Sequence, residues 1–223
     1  IGICGRTGAG KSSIMVTLFR LVELESGSLE IDGVNIQDIS LSKLRSSVTI
    51  IPQDPVLYST TIRENLDPFG HNSDDELWSA LKKCQMKEAI LNFPKQLSQP
   101  VAERGENFSV GERQLLCIAR ALLRKPKVLL LDEATASIDQ STDEKIQQTL
   151  KDEFRDITVL TIAHRLNTIV DSNRVMVMDN GGVVEFERPE VLLKTEGSVF
   201  RELIEKMGKG SVDMFLNKLA NEK

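Results

Sequence analysis

The sequence predicts an α/β fold with a mostly parallel sheet. Short apolar runs with little alternation recur along the chain, each stops at a polar group, and helical patterns fill the gaps between them. The runs are Ile1–Cys4, Val48–Ile51, Val128–Leu131 and Thr158–Ile162, rich in leucine or β-branched residues, as strands buried on both faces are. A fifth, Arg174 to Met178, ends in Asp179 and the turn signal Asn180-Gly181-Gly182, and is expected to close one edge of the sheet. Between the first two runs, Ser28 to Ile36 alternates around Asp32-Gly33, a hairpin signature. Residues 61–91 are helical in pattern, with Leu77, Trp78, Leu81 and Cys84 on one face, which places Trp78 in the core. Ser109-Val-Gly-Glu112 forms a capping box that opens an amphipathic helix stopping at Lys125-Pro126. Thr142 to Phe154 is another helix, and Lys206 to Lys223 reads as a polar, loosely held one.

Composition narrows the function classes. At 223 residues the chain can bury a substantial core. A net charge of −5 without a basic block argues against nucleic acid as a partner. The three cysteines, Cys4, Cys84 and Cys117, are odd in number and lack metal-ligand spacing, so they read as buried thiols in a reducing compartment. No run reaches the length of a membrane span. The chain opens on a strand that belongs in the middle of a sheet, and so reads as a fragment of something longer.

Directly after the first strand, Gly5-Arg6-Thr7-Gly8-Ala9-Gly10-Lys11-Ser12 satisfies GxxxxGK[ST]. The glycines let backbone N–H groups turn inward around phosphate, Lys11 reaches the β- and γ-phosphates, and the Ser12 hydroxyl is placed to ligate Mg²⁺. Ser13 to Leu21 has helical spacing, so a positive helix end faces the phosphates. A glycine-rich turn with a chance lysine is the competing reading, and the strand–loop–helix context disfavours it. The chain is expected to bind a nucleoside triphosphate. Open α/β sheets bind ligands outside the carboxyl ends of their strands. If the runs form neighbouring parallel strands, then Lys11, Gln53, the pair Asp132-Glu133 and His164 converge on one site.

The ordered set of motifs resembles the nucleotide-binding domain of ATP-binding cassette (ABC) transporters over nearly the whole chain. More narrowly, it is similar to the second such domain of a C-subfamily, multidrug-resistance-associated exporter. The motifs are the Walker A loop Gly5–Ser12, the glutamine loop Ile51-Pro-Gln-Asp54, the segment Arg63–Pro68 and the signature region Gly105–Arg120. The Walker B end Leu129–Glu133, the D-loop Ala136–Asp139 and the switch histidine in Ala163-His-Arg-Leu166 complete it. The resemblance implies a P-loop NTPase core at 1–59 and 127–205 with a partial antiparallel β-subdomain, truncated at its N-terminus. It further implies an inserted helical subdomain at 60–126 and a tail at 206–223.

Asp132 ends a buried strand, where a carboxylate can hold Mg²⁺, and Glu133 is directed toward an attacking water. A bare helix-start carboxylate pair is the competing reading for these two. By resemblance Gln53 touches Mg²⁺ or the lytic water, and His164 contacts the γ-phosphate and Glu133. By resemblance, nucleotide binding falls to Gly5, Arg6, Thr7, Gly8, Ala9, Gly10, Lys11, Ser12 and Ser13, and to Ser109, Val110, Gly111, Glu112 and Asp139. Ser109 and Gly111 at a helix start form a second anion site. One triphosphate uses both when two domains meet head to tail, which is the family's arrangement. The partners implied are a second nucleotide-binding domain and transmembrane domains, with the chain on the cytosolic face of a membrane. ATP and Mg²⁺ are the ligands implied.

Two departures stand out. The signature reads Phe-Ser-Val-Gly-Glu where Leu-Ser-Gly-Gly-Gln is usual, so Glu112 sets a carboxylate near a bound γ-phosphate and should weaken the site that this signature completes. The family's adenine-stacking aromatic falls upstream of Ile1. The leading function is ATP hydrolysis driving export. A regulatory module that gates a channel or senses nucleotide with little hydrolysis is the alternative, and a soluble ABC ATPase acting on chromosomes or ribosomes is a more distant one. The stretch Val101–Gly105 resembles the segment with which exporters sense their membrane domains, and Tyr58 is expected to face a coupling helix. His71, in a polar loop, carries no expected role.

Overall fold

A computed structural model describes residues 1–132, 138–162 and 166–221. Its early elements are β1 (Gly2–Gly5), α1 (Lys11–Leu18), β2 (Glu30–Ile31), β3 (Val34–Asn35), α2 (Leu41–Ser47) and β4 (Val48–Ile51). Then come α3 (Ile62–Leu66), α4 (Asp74–Lys83), α5 (Lys87–Leu91), α6 (Val110–Arg124), β5 (Val128–Asp132) and α7 (Gln140–Glu153). The chain closes with β6 (Thr158–Ile162), β7 (Val175–Asp179), β8 (Gly182–Glu187), α8 (Pro189–Lys194), α9 (Val199–Glu205) and α10 (Ser211–Asn221). The class is α/β, with a mostly parallel six-stranded sheet and a two-stranded antiparallel ribbon. Every apolar run read as a strand is one.

The chain forms two compact units, residues 1–41 with 160–223 and residues 42–159. In the first, β1 lies between β6 and β7 and is parallel to both, with Ile3 opposite Ile162 and Met176. Ile3 and Cys4 are almost fully buried, as a central strand of unbroken hydrophobic character requires. The Asp32-Gly33 turn joins β2 to β3 with positive φ at both residues (51° and 74°), the geometry that matches the twist of a tight hairpin.

The expected edge at β7 is corrected. Asn180 and Gly181 also take positive φ (48° and 79°), so the chain folds straight back and β8 pairs antiparallel with β7. A register shift between Val177 and Met178 obscures the alternation in β8. The tail is firmly held. Phe215 of α10 is 3 % exposed in a cluster with Leu193, Phe200 and Ile204, and Lys218 pairs with Asp171 at 2.7 Å.

In the second unit β4 and β5 run parallel, with Ile51 opposite Leu131. The helical stretch from residue 61 is three helices, because Thr61–Glu64 and Ser73–Glu76 are each complete capping boxes that start α3 and α4 afresh. Leu77, Leu81 and Cys84 are fully buried and Trp78 packs partly buried against the same cluster, which also holds Leu115, Leu116 and Ile118 of α6. The capping box at Ser109 and Glu112 is complete, and α6 ends where Lys125 turns left-handed at φ 48°. Asp139 caps α7, starting it ahead of Thr142. The Thr158 amide donates to the Lys127 carbonyl at 3.2 Å, so β6 begins in this unit and finishes in the first. No helix among the described residues is long and apolar enough to cross a membrane.

Candidate nucleotide site

The first unit carries the phosphate loop. β1 ends at Gly5, whose φ of 146° excludes a side chain: a Cβ there would lie 2.1 Å from the Met178 carbonyl oxygen. Gly8 and Gly10 also take positive φ (82° and 95°), which turns the loop back over the end of β1. The Gly181 amide donates to the Ala9 carbonyl at 3.2 Å, so the β7–β8 turn braces the loop from behind. Sequence reasoning missed this bracing by Met178 and Gly181. The only cue to it was the glycine pair after Asn180, read as a chain reversal and not as a wall.

Gly10 is the N-cap of the eight-residue α1 and makes no side-chain cap bond. The first-turn amides of a helix lack intrahelical acceptors, so this end presents N–H groups and partial positive charge. Arg6, Thr7, Gly8, Ser12 and Ser13 are exposed there, while Ala9 and Lys11 are buried. The Lys11 ammonium donates to the carbonyls of Gly5 at 2.9 Å and Arg6 at 3.0 Å. It therefore sits curled inside the loop, 7 % exposed. Cys4 lies one residue before the loop, and burial, reinforced by the Glu185 carboxylate and opposed by Lys11, pushes its thiol up to about 12. That thiol is a packing group and not a nucleophile.

The second unit holds the remaining described candidates. Gln53 stands two residues beyond Ile51 and Asp132 one beyond Leu131; those two residues are register partners, so both candidates occupy the carboxyl end of the β4–β5 pair. Gln53 is exposed and Asp132 half-buried. Pro52 and Pro55 flank Gln53-Asp54, fixing φ on either side and removing amide donors from the loop.

The signature and the D-loop aspartate are brought together. Ser109 Oγ accepts from the Glu112 amide at 3.2 Å, and the Glu112 carboxylate accepts from the Ser109 amide at 2.8 Å. A Cβ on Gly111 would lie 2.3 Å from Thr142 Cγ2 and 3.4 Å from Ile138 Cγ2, so α6 meets the start of α7 at its closest where only glycine fits. Asp139 Oδ1 accepts from the Thr142 amide at 3.0 Å in that same start. Glu133 and His164 lie outside the described residues. His71 stacks on Phe69, with ring centroids 5.8 Å apart.

The pattern of the ABC transporter family matches residues 1–136. The chain is 52 % identical over its whole length to ABC transporter C family member 12 of Dictyostelium discoideum, covering 17 % of that protein. It is 51 % identical to ATP-binding cassette sub-family C member 4 of Mus musculus, over 94 % of the chain and 16 % of that protein. Among solved structures, a bacterial Atm1-family ABC exporter with ATP bound superposes with a TM-score of 0.84 at 36 % identity, over 93 % of this chain and 36 % of the other. The chain thus spans about a sixth of the length of the curated relatives it matches. With a phosphate loop braced at its back and a capped signature helix set against α7, it belongs to the ABC transporter family.

Proposed function

We propose that this chain is the ATP-binding and ATP-hydrolysing domain of an exporter. It would act at the cytosolic face of a membrane by closing head to tail on a second such domain and driving attached transmembrane domains. The observation that carries the reading is the Lys11 ammonium, held by the carbonyls of Gly5 and Arg6 at the open end of α1. A buried ammonium held by two neutral carbonyls, beside the N-terminal end of a helix, suits a polyanion that replaces those carbonyls with charged oxygens.

The donors fit ATP with Mg²⁺. Gly8, Gly10 and the first amides of α1 would cradle the phosphates, with Arg6, Thr7, Ala9 and Ser13 completing the loop. Ser12, Gln53 and Asp132 offer the oxygens that a hard divalent cation takes. Held by these residues, Mg²⁺ would supply positive charge against that developing on the transferred phosphoryl group. Glu133 would orient the attacking water and take its proton, and His164 would bond the γ-phosphate oxygens. Ser109, Val110, Gly111, Glu112 and Asp139 would serve the partner domain's nucleotide. Because Glu112 would bring a carboxylate near that ligand, the site completed by this signature would be the weaker of the two, and the site built on Lys11 and Glu133 the competent one.

The test is ATP turnover of the longer protein against concentration, with Glu133→Gln alongside. Turnover rising faster than linearly and vanishing in the variant is the expected result. Tight ATP binding with negligible turnover in both proteins would favour a gating or nucleotide-sensing module instead.

A further inference from the structure

One face of α6 grips the glutamine loop at both ends. Gln114, Cys117 and Arg120 recur at three-residue spacing, so they form a single stripe. Gln114 is completely buried, and its Nε2 donates to the Pro52 carbonyl at 3.3 Å. Its Oε1, equally buried, has no hydrogen-bond partner among the described residues. The Cys117 thiol lies 4.0 Å from the Val56 carbonyl oxygen. Arg120 donates to that same carbonyl at 3.3 Å and to the Asn65 carbonyl at 2.7 Å, with its guanidinium carbon 5.7 Å from the centre of the Tyr58 ring. Asn65, itself buried, accepts from the Tyr58 amide and donates to the Tyr58 carbonyl, both at 2.8 Å.

The loop is thus fastened at Pro52 and again from Val56 to Tyr58, and the span between carries Gln53 exposed. The fastenings sit on the same helix whose first turn is the signature, residues 109–112. A helix moves as a rigid rod over that length, so a shift of the signature is delivered to both ends of the span.

We propose that Gln114 and Arg120 are positioning residues: they clamp the glutamine loop to the signature helix and so set where Gln53 stands. Gln114 is the more telling of the two. A buried amide with an unsatisfied oxygen costs stability, and an apolar side chain of the same length would remove that cost. Its presence is explained by the bond to the Pro52 carbonyl, the one backbone polar group a proline retains.

The proposal rests on the hydrolytic reading for the consequence of the clamp, but not for the clamp itself, and the two are separable. Gln114→Met keeps length and removes the donor; Gln114→Glu keeps length and an acceptor but cannot donate when ionised; Arg120→Lys loses the forked contact. Amide hydrogen exchange of the full-length protein without nucleotide, and ATP turnover with it, are measured for each. The expected result is about fivefold faster exchange at residues 53–58 (56–58 for Arg120→Lys), unchanged protection of α6, and turnover down about tenfold at unchanged KM for ATP. Unchanged exchange at 53–58 overturns the clamp. Faster exchange with full turnover overturns the positioning role. Loss of α6 protection together with KM and turnover assigns these residues to folding alone and also overturns it. A wild-type protein that never turns over ATP, but whose loop loosens in the variants, leaves the clamp standing and removes the hydrolytic reading.

Discussion

A methyl group at residue 5 would sit 2.1 Å from the Met178 carbonyl at a φ of 146°, so Gly5→Ala forces β1 and β7 apart at the root of the phosphate loop. Its expected effect is a cost of roughly 2–3 kcal/mol, read as a lowered melting temperature, together with lost ATP binding. The buried thiols give a second result. Burial pushes Cys4 and Cys84 from the ordinary 9.0 up to about 12, with Glu185 adding to the first and Glu153 to the second. Between those values the unfolded chain has lost protons that the folded chain keeps, so stability is fully present below pH 9 and falls as pH rises toward 12. Each thiol contributes a slope of about 1.4 kcal/mol per pH unit in that window. Urea midpoints at pH 8, 9 and 10 should fall less steeply in a protein carrying Cys4→Ala and Cys84→Ala. At this scale the sequence was most readable where residue type dictates conformation, as at Gly5, Gly8 and Gly10. It was silent on Gln114, whose role depends on a carbonyl far away in the chain that no spacing rule reaches.

Helix starts were legible wherever a hydroxyl and a carboxylate stand three residues apart. That rule located α6, and the same rule applied at Thr61 and Ser73 would have divided the 61–91 helix into its observed parts. It was missed because the hydrophobic face continues in phase across the breaks. Glu112 has two roles with different sensitivity to charge. As a cap it needs only an acceptor, which glutamine supplies as well. Toward a nucleotide its negative charge is a penalty. Glu112→Gln is therefore expected to leave folding stability within about 0.5 kcal/mol while tightening ATP several-fold at the site this signature completes, as titration of a fluorescent ATP analogue would show. Ser109→Ala, by contrast, removes the cap itself and costs about 1 kcal/mol in chemical denaturation.

Across the whole molecule, the parallel strands were readable because burial on both faces leaves an unbroken apolar signal, whereas β8 was hidden by its consecutive valines and shifted register. That strand lies at the end of the sheet and exposes Val183, Val184 and Phe186 to 54 %, 50 % and 40 %. An apolar edge strand is a template for pairing with another chain. The isolated 223-residue chain is expected to self-associate as concentration rises, and Val184→Lys to suppress it, by sedimentation velocity.

The carbonyl pair around Lys11 makes the loop a valence filter. Its ammonium is already satisfied by the carbonyls of Gly5 and Arg6, so an incoming anion gains only the difference between its own attraction and theirs. Chloride or a single carboxylate offers too little to unseat two well-placed acceptors, while a triphosphate brings several charged oxygens to the ammonium and the helix end at once. That discrimination comes from the loop's own carbonyls and needs no lid.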